Sequence, residues 1–193
     1  MRAAAIVVSV VWFLVAFALR IAIQRRMTGD SGVRSNAGPP LSLAWWARVA
    51  FVSAVVLVAI GPATADPPNP TPLNWVGLVT ALVGVTATFV AQLRMGASWR
   101  IGVDPGERTA LVTTGMFAIV RNPIFTTMAL TAVGLTAMVP TVIGGAGLAL
   151  TVVALELQVR GVEEPYLRAT HGPAYSSYEA RVGRFVPAIG RRA

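Results

Sequence analysis

The sequence predicts an all-α integral membrane protein, with about five transmembrane helices and a C-terminal cytoplasmic amphipathic helical segment. Composition comes first. Of 193 residues, 55% are hydrophobic and only 12% charged, with a mean hydropathy of +0.66. A soluble domain carries about twice that charged fraction. A chain this poor in charge cannot cover a water-facing surface, so lipid must solvate much of it. Second, apolar stretches of spanning length recur along the chain. Third, all 16 basic residues are Arg, and they fall unevenly between the segments.

The first apolar stretch runs from Ala3 to Leu19 and on past Arg20 to Ile23. Arg20, Arg25 and Arg26 follow it where a signal peptide would carry small residues, so it reads as an uncleaved first helix. Residues 24–40, with Gly29, Gly32, Gly38, Pro39 and Pro40, form a loop. A second helix spans roughly Ser42 to Ile60; Arg48 lies near its start, and Trp45 and Trp46 suit an interfacial belt. Five prolines between Gly61 and Pro72 predict an extended connector, which carries Asp66. A third helix covers about Leu73 to Leu93, followed by a polar loop with Arg94, Arg100, Asp104, Glu107 and Arg108.

No charge occurs from Asn122 to Leu155. As one helix that segment would span about 51 Å, against a hydrocarbon core of about 30 Å, so a hairpin turning near Met138, Val139 and Pro140 fits better. In the tail, Val162, Tyr166 and Ala169 keep helical spacing, and so do Tyr175, Tyr178, Val182 and Phe185 after a break at Gly172-Pro173. These predict amphipathic helices.

With five spans and the N-terminus outside, every arginine except Arg2 falls on the side that holds the C-terminus. That asymmetry makes the C-terminal side cytoplasmic. The net charge of +8 is thereby explained without nucleic acid, for which no motif exists. The absence of Cys and the single His171 argue against a metal site. The expected partners are the lipid bilayer and an amphiphilic or lipid substrate.

Three polar clusters share the cytoplasmic side: Met95 to Glu107, Leu111 to Phe125, and Glu156 to Tyr178. Ionisable groups near the bilayer are costly unless paired, which makes them site candidates. Glu163-Glu164 also reads as a solvated pair with Arg168 one turn on. Asn122 and Pro123 read as a helix cap and first turn. His171 reads as an exposed turn residue.

The run LVTTGMFAIVRNPIF (Leu111 to Phe125), the apolar hairpin, Glu163-Glu164 and HGPAYSSYEARVGRFVP (His171 to Pro187) together resemble the isoprenylcysteine carboxyl methyltransferase family. That family is grouped with the phospholipid methyltransferases among small integral membrane methyltransferases. The resemblance covers roughly residues 74–187 and divides the chain into a two-helix segment with its loops, 1–72, and a methyltransferase-like core, 73–193. It implies S-adenosyl-L-methionine as cofactor. The cofactor-binding positions it implies are Thr109, Ala110, Leu111, Val112, Phe117, Arg121, Asn122, Pro123, Phe125, Glu163, Glu164, Tyr175 and Tyr178. Glu164 is also the base if the acceptor needs one, and Arg160 is the nearest match to a substrate-binding arginine. Asn122 stands where the family has histidine and Phe125 where it has tyrosine, which removes one hydroxyl donor.

The expected reaction is methyl transfer to a lipid-like or isoprenyl-type acceptor. A carboxylate acceptor is ionised at neutral pH and needs no base. An amine, thiol or hydroxyl would call on Glu164 or His171. A membrane reductase using NADPH and a non-enzymatic scaffold are the competing readings; a scaffold predicts that Arg121, Glu163 and Tyr178 stay far apart.

Overall fold

A computed structural model describes residues 1–34, 38–65, 69–104 and 106–192. Six helices account for most of it: α1 (Arg2–Thr28), α2 (Leu43–Ile60), α3 (Pro72–Arg94), α4 (Pro123–Met138), α5 (Val142–His171) and α6 (Pro173–Arg181). Two isolated bridges, Val33 with Ile101 and Val120 with Gly183, are the β-type pairings among the described residues.

The first helix runs five residues past its expected end, through a π turn at Leu14–Leu19, and stops where Gly29 takes a left-handed φ of 74°. Its buried face is Ala5, Trp12, Ala16, Arg20 and Gln24. The lower half of that stripe is therefore polar. The second helix is capped by Ser42, whose hydroxyl accepts the Trp45 N–H at 3.2 Å. It does not give way to extended chain at Gly61: Gly61–Thr64 add a 3₁₀ turn, because Pro62 sits in a first turn where no N–H is needed. Asp66, Pro67 and Pro68 of the expected connector lie outside the described residues. Thr71 and Asn74 form a reciprocal capping box at the start of α3.

The hairpin turns where expected, between Met138 and Thr141, whose hydroxyl caps α5. The tail departs from expectation twice. Helix α5 continues through a π turn, Val159–Glu163, to His171, so the helical spacing at Val162, Tyr166 and Ala169 belongs to its extension and not to a separate helix. Val182 and Phe185, though helically spaced, lie beyond α6. Gly183 instead pairs alongside Val120, accepting the Arg121 N–H at 2.8 Å.

Two helix pairs are packed backbone to backbone. A Cβ on Gly84 of α3 would stand 2.4 Å from Thr131 Oγ1 of α4. One on Gly147 of α5 would stand 2.7 Å from Val58 N of α2. Close approach of this kind is how helices associate in lipid, where burial of apolar surface gives no net drive. Four helical runs, Arg2–Thr28, Leu43–Thr64, Pro72–Arg94 and Val142–His171, are long and apolar enough to cross a membrane. The α4 helix is apolar but shorter. The end of α3, the start of α4, the end of α5 and α6 frame one cavity, closed by described residues of the stretch between α3 and α4.

Candidate functional site

The framed region holds a cavity of about 640 Å³, within the usual range for small-molecule sites. The residues implied by resemblance converge on it from three separate stretches. Thr109, Ala110, Leu111 and Val112 supply one wall; Phe117, Arg121, Asn122, Pro123 and Phe125 a second; Glu163, Tyr175 and Tyr178 a third. Arg121, Glu163 and Tyr178 thus border one space.

Glu164 and Arg160 are not brought to it. Glu164 is 2% exposed and enclosed by three guanidinium groups. Its Oε1 accepts from Arg121 Nη2 at 2.8 Å and Arg184 Nε at 2.7 Å. Its Oε2 accepts from Arg184 Nη2 at 2.9 Å and Arg168 Nη2 at 3.1 Å. Arg168 also clasps Glu179, at 2.8 Å. A carboxylate with its lone pairs filled this way is architectural. Arg160 turns outward, its side chain 61% exposed, and pairs with Glu156 one turn back. The physical reason is the π turn at Val159–Glu163. Its extra residue per turn rotates Glu163 onto the cavity, leaves Glu164 behind the wall and swings Arg160 away.

Glu163 is the carboxylate that lines the cavity among the described residues, accepting a 3.2 Å hydrogen bond from Gln158 Nε2. The Arg121 head is committed to the tail. Besides Glu164 it donates to the carbonyls of Glu179 (3.0 Å), Gly190 (3.0 Å) and Val182. Asn122 stands at the cap position, but its side chain does not cap. Nδ2 donates to the Arg184 carbonyl at 3.2 Å, because the tail lies against it. Tyr178 donates to the Phe117 carbonyl at 2.5 Å, and its ring meets Tyr175 edge-on at 6.1 Å. Burial raises the Tyr175 hydroxyl to about 12 and pushes Tyr178 up as well, so both stay protonated donors at neutral pH. His171 does not border the cavity.

The sequence reading missed the contribution of the N-terminal segment. Phe17, Arg48 and Phe51 line the cavity, with Gln92, Trp99 and Arg100 beside them. The signal available was Arg20, an arginine inside an apolar stretch. It is fully buried, its guanidinium 4.5 Å over the Trp99 ring, with Nη2 donating to the Gly96 carbonyl at 2.8 Å. Gln24 donates to the Ala97 carbonyl at 3.0 Å.

An outer clamp holds the same loop. Arg34 is shared by Asp30, at 2.5 Å, and Glu107; Arg100 Nε reaches Glu107 at 3.1 Å. Tyr166 donates to the Glu107 carbonyl. The hydrogen bond from Arg34 is the main reason Asp30 is held down to about 2, and it lowers Glu107 too.

The phospholipid methyltransferase family model matches residues 73–174, more than half of the chain. Among solved structures, the chain is similar to a eukaryotic intramembrane Ras methyltransferase, isoprenylcysteine carboxyl methyltransferase. The TM-score is 0.64 and the identity 21%, covering 91% of this chain and 62% of that one. The chain thus spans less than two thirds of that protein's length. No curated protein matches it in sequence.

Proposed function

The chain belongs to the phospholipid methyltransferase family, and on that premise we propose that it is an S-adenosyl-L-methionine-dependent membrane methyltransferase acting on the carboxylate of a lipid-like or isoprenyl-type amphiphile. The observation that carries the reading is the convergence of 109–125 and 163–178 on one largely apolar cavity with a single lining carboxylate, Glu163, among the described residues.

The donor set fits the cofactor. Glu163 suits an ammonium group. The irregular run Thr109–Val112 offers backbone groups to an adenine or ribose, and Phe117, Tyr175 and Tyr178 give it an aromatic wall. When bound, S-adenosylmethionine supplies a methyl group activated by its sulfonium. Methyl transfer to a carboxylate would remove the positive charge of the sulfonium and the negative charge of the acceptor together. A water-poor site favours such charge loss. The chain's part is alignment: Tyr178 and Glu163 fix one reactant, and the walls around Phe51 and Phe125 take the apolar part of the other. With Glu164 enclosed and His171 off the cavity, Glu163 is the one carboxylate or imidazole lining the site among the described residues, which suits an acceptor already ionised. In the bilayer, α4 serves as a short fifth span. The N-terminus then lies outside, and the arginine-rich C-terminal side faces the cytoplasm.

Calorimetry with S-adenosylhomocysteine in detergent tests the reading. Wild type is expected to bind, and Glu163→Gln to bind at least about tenfold more weakly through loss of one charge-assisted contact. No binding by wild type overturns the function; equal affinity overturns the site assignment.

A further inference from the structure

The N-terminal segment lies outside the matched family region, yet it builds one wall of the cavity. At its centre is Arg20. The residue is fully buried, stacked on Trp99 and bonded to the Gly96 carbonyl. Among the described residues its buried Nε and Nη1 have no acceptor, and no ion pair forms at it. A buried cation without a carboxylate partner is costly, and a methionine of similar reach would pack there more cheaply. Two observations say what the charge does. Trp99, directly beneath the guanidinium, lines the cavity. So does Arg100, whose Nη1 bonds the Ala97 and Trp99 carbonyls at 2.7 and 2.8 Å. The turn 96–100 is therefore gripped by one guanidinium from inside and another from outside. Gln24 completes the inner grip by donating to the Ala97 carbonyl, while Gln92 of α3 donates to the Ala16 carbonyl of α1. In a low-dielectric wall, a cation one ring thickness from the cavity is weakly screened.

We propose that Arg20 is a positioning and selectivity residue: it holds the Gly96–Trp99 wall and gives that wall an unneutralised positive charge, so the cavity prefers an amphiphile with an anionic head, carboxylate or phosphate, over its neutral counterpart. The proposal rests on the methyltransferase reading of the cavity, and names the kind of acceptor that its N-terminal wall selects. Arg20 does not touch the acceptor; it acts through Trp99 and the turn.

The test uses the full chain in zwitterionic nanodiscs and two matched probes, a farnesyl thioether acetate and its methyl ester. Binding of each is measured by calorimetry for wild type, Arg20→Lys, Arg20→Met and Arg20→Gln. Wild type is expected to favour the acid by about tenfold, and Arg20→Lys to keep most of that preference. Arg20→Met is expected to bind the two probes within about twofold of each other. Arg20→Gln keeps a polar amide at the site, of shorter reach, while losing the charge, so it carries the test if Arg20→Met does not fold; it too should lose the preference. S-adenosylhomocysteine affinity should stay unchanged in every folded variant. The proposal is overturned if wild type shows no acid preference or binds neither probe. It is equally overturned if the neutral variants keep the preference, or if all three variants lose S-adenosylhomocysteine binding, which would make Arg20 merely structural. Wild type that selects the acid but binds no S-adenosylhomocysteine would instead sink the methyltransferase reading and leave the selectivity claim standing.

Discussion

The cavity has two arginine-bearing walls, and they solve the same problem in opposite ways. On the tail side, Arg121, Arg168 and Arg184 close around Glu164, and nearly every donor finds an acceptor. On the N-terminal side, Arg20 is buried without a countercharge, while Arg34 and Arg100 share Glu107 at the half-exposed rim. A saturated network is rigid and tells a ligand little. An unsaturated one keeps part of its field for whatever occupies the cavity. Adjacent acids show the contrast on the smallest scale: Glu164 is enclosed by guanidinium groups, and Glu163 borders the cavity.

The largest effect that would break this comparison comes from the saturated side. Glu164→Ala leaves buried guanidinium groups unpaired and should cost about 3–5 kcal/mol, read as a lowered melting temperature or lost expression in detergent. If Glu164→Ala is as stable as wild type, the tail network is not architectural. Next, Tyr178→Phe strands the Phe117 carbonyl and should cost about 1–3 kcal/mol in the same assay. The tyrosines also set an alkaline limit. Unfolded tyrosine ionises near 10, whereas Tyr175 holds its proton to about 12. Stability is then full below about pH 10 and falls as pH rises toward 12, a window that a Tyr175→Phe variant should flatten. The smallest effect belongs to the rim. Asp30 has its carboxylate pKa depressed to about 2 by Arg34. Its contribution is present above about pH 4 and fades as pH falls toward 2. Acid, or high salt at neutral pH, should speed proteolysis between residues 96 and 107 without moving the melting temperature. Equal salt sensitivity of the tail would erase the difference between the walls.

How much of this was legible in the sequence follows the same divide. Spans governed by hydropathy could be read off the chain, because their cause is local; the one cap read there, Asn122, holds the cap position without a side-chain cap bond. The cavity-lining positions at 109–125 and 175–178 came from resemblance, not from periodicity. The placement of Arg160 and Glu164 was out of reach, because a single π turn at Val159–Glu163 turns both away from the cavity that Glu163 lines. Ordinary 3.6-residue spacing gives no warning of that turn. The N-terminal wall was equally hidden. Arg20 meets Gly96 across 76 positions, and Gln24 meets Ala97 across 73. Helical spacing misled at Val182 and Phe185, where the pairing of Gly183 beside Val120 overrides it.

The chain contains no lysine, and its lone histidine stays off the cavity, so every cation bordering that space is a guanidinium. A guanidinium keeps its proton at any pH a bilayer enzyme works in. The positive wall therefore behaves as a fixed magnet with no off switch. Across neutral pH the charge of that wall does not change.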